Sequence, residues 1–230
     1  MRYRKLLYEL SSNYVGVLEC RNLSITINRP DIRQELMNTV RLLRTSEGFR
    51  KDLSYYTQAY KNFIKSYLKA PYNKTGYSPE NLAKTFLRNP LARVRNDLEG
   101  IRYITELRTF MPMLAIDVDK VSPPLILRKA LKHEVIPSFK SFLELSGYEL
   151  ILADGVNKPI YVLFSKRNKL YAVSKNTVKA LILSFGIPRF PKYFITQSLN
   201  TFRKLMSMYY AQTTCEYLDT KTVIKTPQEF

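Results

Sequence analysis

The 230-residue chain has no tryptophan, one histidine and two cysteines. With a single histidine, most histidine-dependent chemistry is excluded. His133, in ALKHEVIP with no cysteine near it, reads as a surface or packed residue rather than a ligand. Cys20 and Cys215 lie far apart and have no CxxC companion, which argues against a cysteine-built zinc site and leaves a disulfide open. Long apolar runs are missing too. Segments such as AVSKNTVKALILSFGIP are cut by lysine and asparagine and fall short of the roughly 20 residues a membrane span needs. The N-terminal MRYRKLLYELSSNYVG begins basic but has no long apolar core or small-residue cleavage site, so it does not read as a signal peptide.

Negative charge is the scarcest commodity. Nineteen Asp and Glu face 37 Lys and Arg, giving a net charge of +18 and a pI near 9.8. Such an excess repels itself in a compact state, and a polyanionic partner is the usual reason for it. Nucleic acid is the leading partner, with an acidic membrane surface second, and the expected setting is intracellular and cytoplasmic. A hydrophobic share of 45% and a charged share of 24% describe a folded protein rather than a disordered tail. The length allows one or two domains.

Apolar spacing suggests an α/β (α+β) protein: a mainly helical first half with a short hairpin, then a mixed sheet flanked by helices. The expected division is a helical basic region over 1–110 and an α/β domain over 111–230. YVGVLEC and LSITIN, residues 14–28, read as the hairpin. Helices follow from Asn28, with Ile32, Leu36, Val40 and Leu43 at helical spacing, through DLSYYTQAYKNFIKSYLK up to Pro71, in YSPENLAKTFLRNP, and in PLARVRNDLEGIRYITELRTF. In the second half, MLAIDV, YELILAD, KPIYVLFS, KLYAVS and CEYLDTKTVIKT read as strands. PPLILRKALKHEVIPSFKSFLELSG, SKNTVKALILSFG and TQSLNTFRKLMSMYYAQ read as helices.

Two basic clusters stand out. On one helix Tyr56, Tyr60, Phe63 and Tyr67 share a face, with Lys61, Lys65 and Lys69 roughly opposite. Either the lysines follow a phosphate backbone or the rings are core and the lysines simply solvated. The second, SKRNKLYAVSKNTVK, offers Lys166, Arg167, Lys169, Lys175 and Lys179 at a turn, a strand end and a helix start, with Tyr161 and Tyr171 on neighbouring strands for base stacking. A solvated hairpin tip is the bland alternative.

In LAIDVD the two aspartates, Asp117 and Asp119, would point to one face of a strand and present paired carboxylates. Hard oxygen ligands favour Mg²⁺ or Mn²⁺, and polymerases hold two metals with such a pair. The competing reading has Asp119 capping the next helix and Asp117 in a local ion pair. The order LAIDVD, helix, GYELILADG, NKPIYVLFS and late EYLDTKTV resembles the archaeo-eukaryotic primase superfamily. That resemblance implies a replication protein using Mg²⁺ or Mn²⁺ and nucleoside triphosphates. It makes Asp117 and Asp119 the metal pair and Asp219 the third acid. The hairpin LADGVNKPIYVLF then stands where the family binds its nucleotide, with Tyr161 about where the family has histidine and Lys158 or Lys166 near a phosphate. A noncatalytic nucleic-acid-binding or ribonucleoprotein subunit is the alternative. The αβββα core of restriction-type nucleases is a second template, through Asp154 and Lys166, but Phe164 replaces its second acid.

Overall fold

A computed structural model describes residues 10–11, 13–68, 78–137, 142–164, 168–188 and 190–226, side chains 67 and 68 excepted. The fold is α+β. One four-stranded antiparallel sheet has the order β2–β8–β1–β9, built from β1 (Val15–Arg21), β2 (Met113–Asp117), β8 (Lys179–Phe185) and β9 (Thr214–Leu218). Strands from both sides of residue 110 therefore share this sheet. A second sheet runs β10–β3–β6–β7, from β3 (Leu125–Lys129), β6 (Leu150–Ala153), β7 (Pro159–Val162) and β10 (Ile224–Lys225). β4 (Lys132–Pro137) and β5 (Phe142–Ser146) pair separately.

The helices are α1 (Pro30–Thr45), α2 (Glu47–Phe63), α3 (Ser78–Arg88), α4 (Asp97–Thr109), α5 (Tyr193–Tyr209) and the single turn α6 (Thr220–Val223). Local chemistry starts them where polar caps stand. Ser46 Oγ accepts from Phe49 N at 3.3 Å and Asn96 Oδ1 from Glu99 N at 2.9 Å, each satisfying a donor that a helix start leaves open. The expected stripe of α1 is buried as Ile32, Leu36, Val40 and Leu43. α4 is enclosed by α1, α3, α5 and β2 and buries most of its length.

Several expected elements differ. LSITIN does not return as a hairpin strand; β1 is instead flanked by β8 and β9. Leu23 and Ile25 are buried, and Thr26 bonds Asp97 at the start of α4 through its hydroxyl and through its carbonyl, which accepts from Asp97 N at 3.0 Å. SKNTVKALILSFG forms strand β8, not a helix, and the expected helix over 123–147 is β3, β4 and β5. β8 is buried along nearly its whole length, and a run apolar on both faces carries no periodicity to separate strand from helix. KLYAVS is a 3₁₀ turn over Lys169–Tyr171, followed by one bridge from Ala172 to Ile116. Of the residues singled out in sequence, Lys69, Pro71, Lys166, Arg167 and the Tyr67 side chain lie outside those described.

Candidate nucleic-acid interface

β2 stops at Asp117, and Val118–Lys120 turn away as one 3₁₀ turn. Asp119 is therefore not two residues along the same strand, and the shared carboxylate face does not form. Asp117 is buried. Its Oδ2 accepts from the Thr177 hydroxyl at 2.6 Å and faces the Lys120 ammonium at 3.0 Å, while Oδ1 accepts from Asp119 N at 3.3 Å. This is the local ion pair of the competing reading. The cap, however, comes from Asp117, and Asp119 is exposed.

Asp219 does not join them. It follows β9, on the edge opposite β2, so β8 and β1 separate the two acids by three strand spacings, about 14 Å. Along the strands they diverge again. Asp117 is level with Ala180, Cys20 and Cys215, whereas Asp219 follows Leu218, which is level with Val17 and Leu183. The Asp219 carboxylate caps α6, accepting from Lys221 N at 3.0 Å. Among the described residues no three His, Cys, Asp or Glu side chains gather in metal-binding fashion. The donors already on Asp117 and the distance to Asp219 do not fit the two-metal site that the primase resemblance implies.

The loops beside Asp117 are tightly tied. Asp154 Oδ1 accepts from Val156 N at 3.2 Å and Lys158 N at 2.8 Å, and its Oδ2 accepts from the Tyr171 hydroxyl at 2.9 Å. Gly155 donates to Ser122 O at 2.6 Å; a side chain there would reach Pro123 O at 2.3 Å, so this approach needs glycine. Asn168 donates to the start of β7, to Pro159 O at 2.9 Å and Ile160 O at 2.7 Å. Lys120 is turned in to Asp117 and to Ala172 O at 2.9 Å, while Lys158, Lys169 and Lys175 on these loops are exposed.

The tyrosines do not serve as stacking platforms. Tyr161 is 4% exposed, packs 5.5 Å from the Phe185 ring, and its oxygen accepts from Phe164 N at 3.2 Å. Burial pushes its phenol well above the usual range. Tyr171 is buried as well, and burial together with Asp154 raises its phenol. Phe164 is fully buried, and the Asp154 carboxylate is engaged by its own loop and by Tyr171, so the nuclease template gains no support.

Lys61 and Lys65 belong elsewhere. Tyr60 donates to Phe185 O at 2.7 Å, anchoring α2 at the end of β8 opposite Ala180. Tyr60 and Phe63 are core, and the Tyr60 ring lies 5.2 Å from Phe164. Lys61 faces Glu80 at 3.3 Å; Lys65 is exposed. His133 stands on β4, not in a helix, with Nδ1 2.5 Å from Glu144 Oε1.

The distribution of acid explains the electrostatics. Glu99 is held by Arg95, Glu106 by Arg102, Glu134 by Arg128 and Glu35 by Arg108. Glu80 takes Lys61 and Lys84. Burial pushes the Glu19 carboxyl up, but Lys179 and Arg21 outweigh it and hold it below the usual range. With so many carboxylates engaged, the surplus cations face water.

The sequence patterns do not reveal one group of these. Arg33 donates to Ala92 O at 2.9 Å and Pro90 O at 3.0 Å, Arg44 to Leu87 O at 2.9 Å, and Arg50 to Arg44 O at 3.0 Å. Those bonds join α1, the start of α2, the end of α3 and the following loop into one arginine-bearing surface. The i, i+3 spacing of Arg41 and Arg44 was visible in sequence, but the α1–α3 contact that adds Arg88 was not.

No protein-family model matches this chain, and no curated protein does. Among solved structures it is similar to an N-terminal fragment of the phenylalanyl-tRNA synthetase beta-subunit from Pyrococcus horikoshii. The TM-score is 0.47 and the identity 10%, covering 97% of this chain and 50% of that one. The chain thus spans about half of that structure's length, and a likeness this distant carries no argument about function.

Proposed function

We propose that this protein binds nucleic acid without catalysing a reaction on it. The observation that carries the reading is the sorting of charge: on a chain of net charge +18, most carboxylates among the described residues are paired or hydrogen-bonded within the fold, while many lysines and arginines stand exposed. Such a surface gains affinity by releasing the counterions condensed on phosphates. Among the described residues no helix is long and apolar enough to cross a membrane.

The finer reading, Mg²⁺- or Mn²⁺-dependent nucleotidyl transfer by a replication protein, finds no third acid gathered with Asp117 and Asp119 among the described residues, so the noncatalytic alternative is preferred. The test is the affinity for a labelled oligonucleotide between 50 and 200 mM salt. Affinity should fall steeply and linearly on logarithmic axes. Undetectable or salt-independent binding would refute the proposal, and metal-dependent nucleotide incorporation abolished by Asp117→Asn would restore the enzyme reading.

A further inference from the structure

The arginine surface ends at a cavity. Arg33, Arg41, Arg44, Arg50, Arg88 and Arg93 have no carboxylate partner among the described residues, and all but the half-buried Arg33 are exposed. From Arg33 to Arg44 the helix rise alone spans about 16 Å. Three nearby acids are already paired: Asp31 with Arg29 at 2.5 Å, Glu47 with Lys51 at 2.9 Å and Glu35 with Arg108 at 2.5 Å. Guanidinium groups suit phosphates in particular, because their planar fork donates two parallel hydrogen bonds.

At the Arg33 end a cavity of about 410 Å³ opens between α1, the start of α4 and the loop after α3. Ile32, Leu36, Val94 and Gly100 give it apolar walls, Leu91 beside them is 77% exposed, and Arg33 and Arg93 supply positive charge. Its one carboxylate, Asp97, is already held by the Thr26 hydroxyl and by Arg29 N at 3.1 Å. Arg33 is fixed by its two carbonyl bonds. Such a site takes a flat, largely apolar group attached to an anion.

We infer that the strip and cavity form a track for single-stranded nucleic acid, with phosphates along α1 and α3 and one unstacked base in the cavity. A duplex keeps its bases in the stack and has nothing to insert, whereas a single strand offers a free base next to each phosphate. The inference rests on the nucleic-acid reading above and adds the strandedness and the place.

The experiment is fluorescence anisotropy with a labelled 12-nucleotide single strand and a duplex of equal length, using the full chain. The wild type should prefer the single strand. Arg41→Ala with Arg88→Ala, both exposed and free of protein hydrogen bonds among the described residues, should weaken single-strand binding at least tenfold. The salt slope should fall by about 1.4, two contacts at roughly 0.7 each. Val94→Trp, which fills the cavity, should reduce single-strand affinity to that of the duplex; Arg93→Ala should shift it the same way without altering the core. If the wild type binds no nucleic acid, the functional proposal falls and this inference with it. If it binds but the arginine pair changes nothing, the track is wrong and the functional proposal stands. Equal affinity for duplex and single strand, or a preference that survives both Val94→Trp and Arg93→Ala, overturns the base pocket.

Discussion

The Thr177 hydroxyl donates to Asp117 Oδ2 at 2.6 Å, joining the end of β2 to the loop that enters β8. With Lys120 on the same carboxylate, Asp117 is a structural tie. Asp117→Ala leaves a buried hydroxyl without its acceptor and should cost about 1–3 kcal/mol by denaturant unfolding. Asp119→Ala, at an exposed position, should stay within about 0.5 kcal/mol. Nucleic-acid affinity should survive both. An Mn²⁺-dependent rise in melting temperature that disappears in both variants would revive the metal pair.

The lysine cluster should matter less than the arginine strip. Lys158, Lys169 and Lys175 are exposed, but two buried aspartates, Asp117 and Asp154, and the exposed Asp119 stand among the loops that carry them. Their combined change to alanine should weaken single strand and duplex by the same factor, and by less than Arg41→Ala with Arg88→Ala. A larger loss, measured by the same anisotropy titration, would move the main contact surface to these loops.

Glu149 gives a pH dependence. Burial raises its carboxyl, but the Ser146 hydroxyl at 2.7 Å and the backbone N–H groups of Ser146 and Tyr148 outweigh that and hold it below the ordinary range. A carboxyl lowered by folding contributes stability above its unfolded value, near 4.3, and loses it as pH falls through the folded value. Glu149→Gln should therefore lower stability at pH 7 and narrow the gap between wild type and variant by pH 3. A gap that is constant with pH would mean the hydrogen bonds do not depend on the charge.

How much of this could be read from the chain depended on where the partner of each residue lies. The stripe of α1 and the amphipathic run of α5 repeat within a few residues, so periodicity found both. The caps of α2 and α4 are just as local, yet the Asn96 start of α4 came later than the apolar pattern indicated, because residues 90–95 form the loop that Arg33 holds. β8 gave no such signal, since Ala180 and Ile182 on one face and Leu181 and Leu183 on the other are all buried. The competing reading of DxD found the ion pair because Lys120 is three residues from Asp117. Thr177, 60 residues away, could not be found that way. Net charge was plain from composition, but its arrangement was not: Arg44 and Arg88 become neighbours only when α1 packs on α3.

The pairing of Cys20 with Cys215 gives a last prediction. The two residues face each other across β1 and β9 and form a disulfide that closes 195 residues of chain. In the chain-entropy account, a loop of that length removes about 5 kcal/mol of unfolded-state freedom, and typical measured gains are about 2–4 kcal/mol. β9 is an edge strand with partly exposed residues, so backbone pairing and this bond are its main attachments to β1. Changing both cysteines to alanine should lower unfolding stability by about 2–5 kcal/mol and speed amide exchange in β9 before β8. Oligonucleotide affinity should be unchanged, because the arginine strip lies on α1, α2 and α3 and takes nothing from β9. Loss of affinity in a variant that still melts cooperatively would place part of the binding surface on the β9 edge.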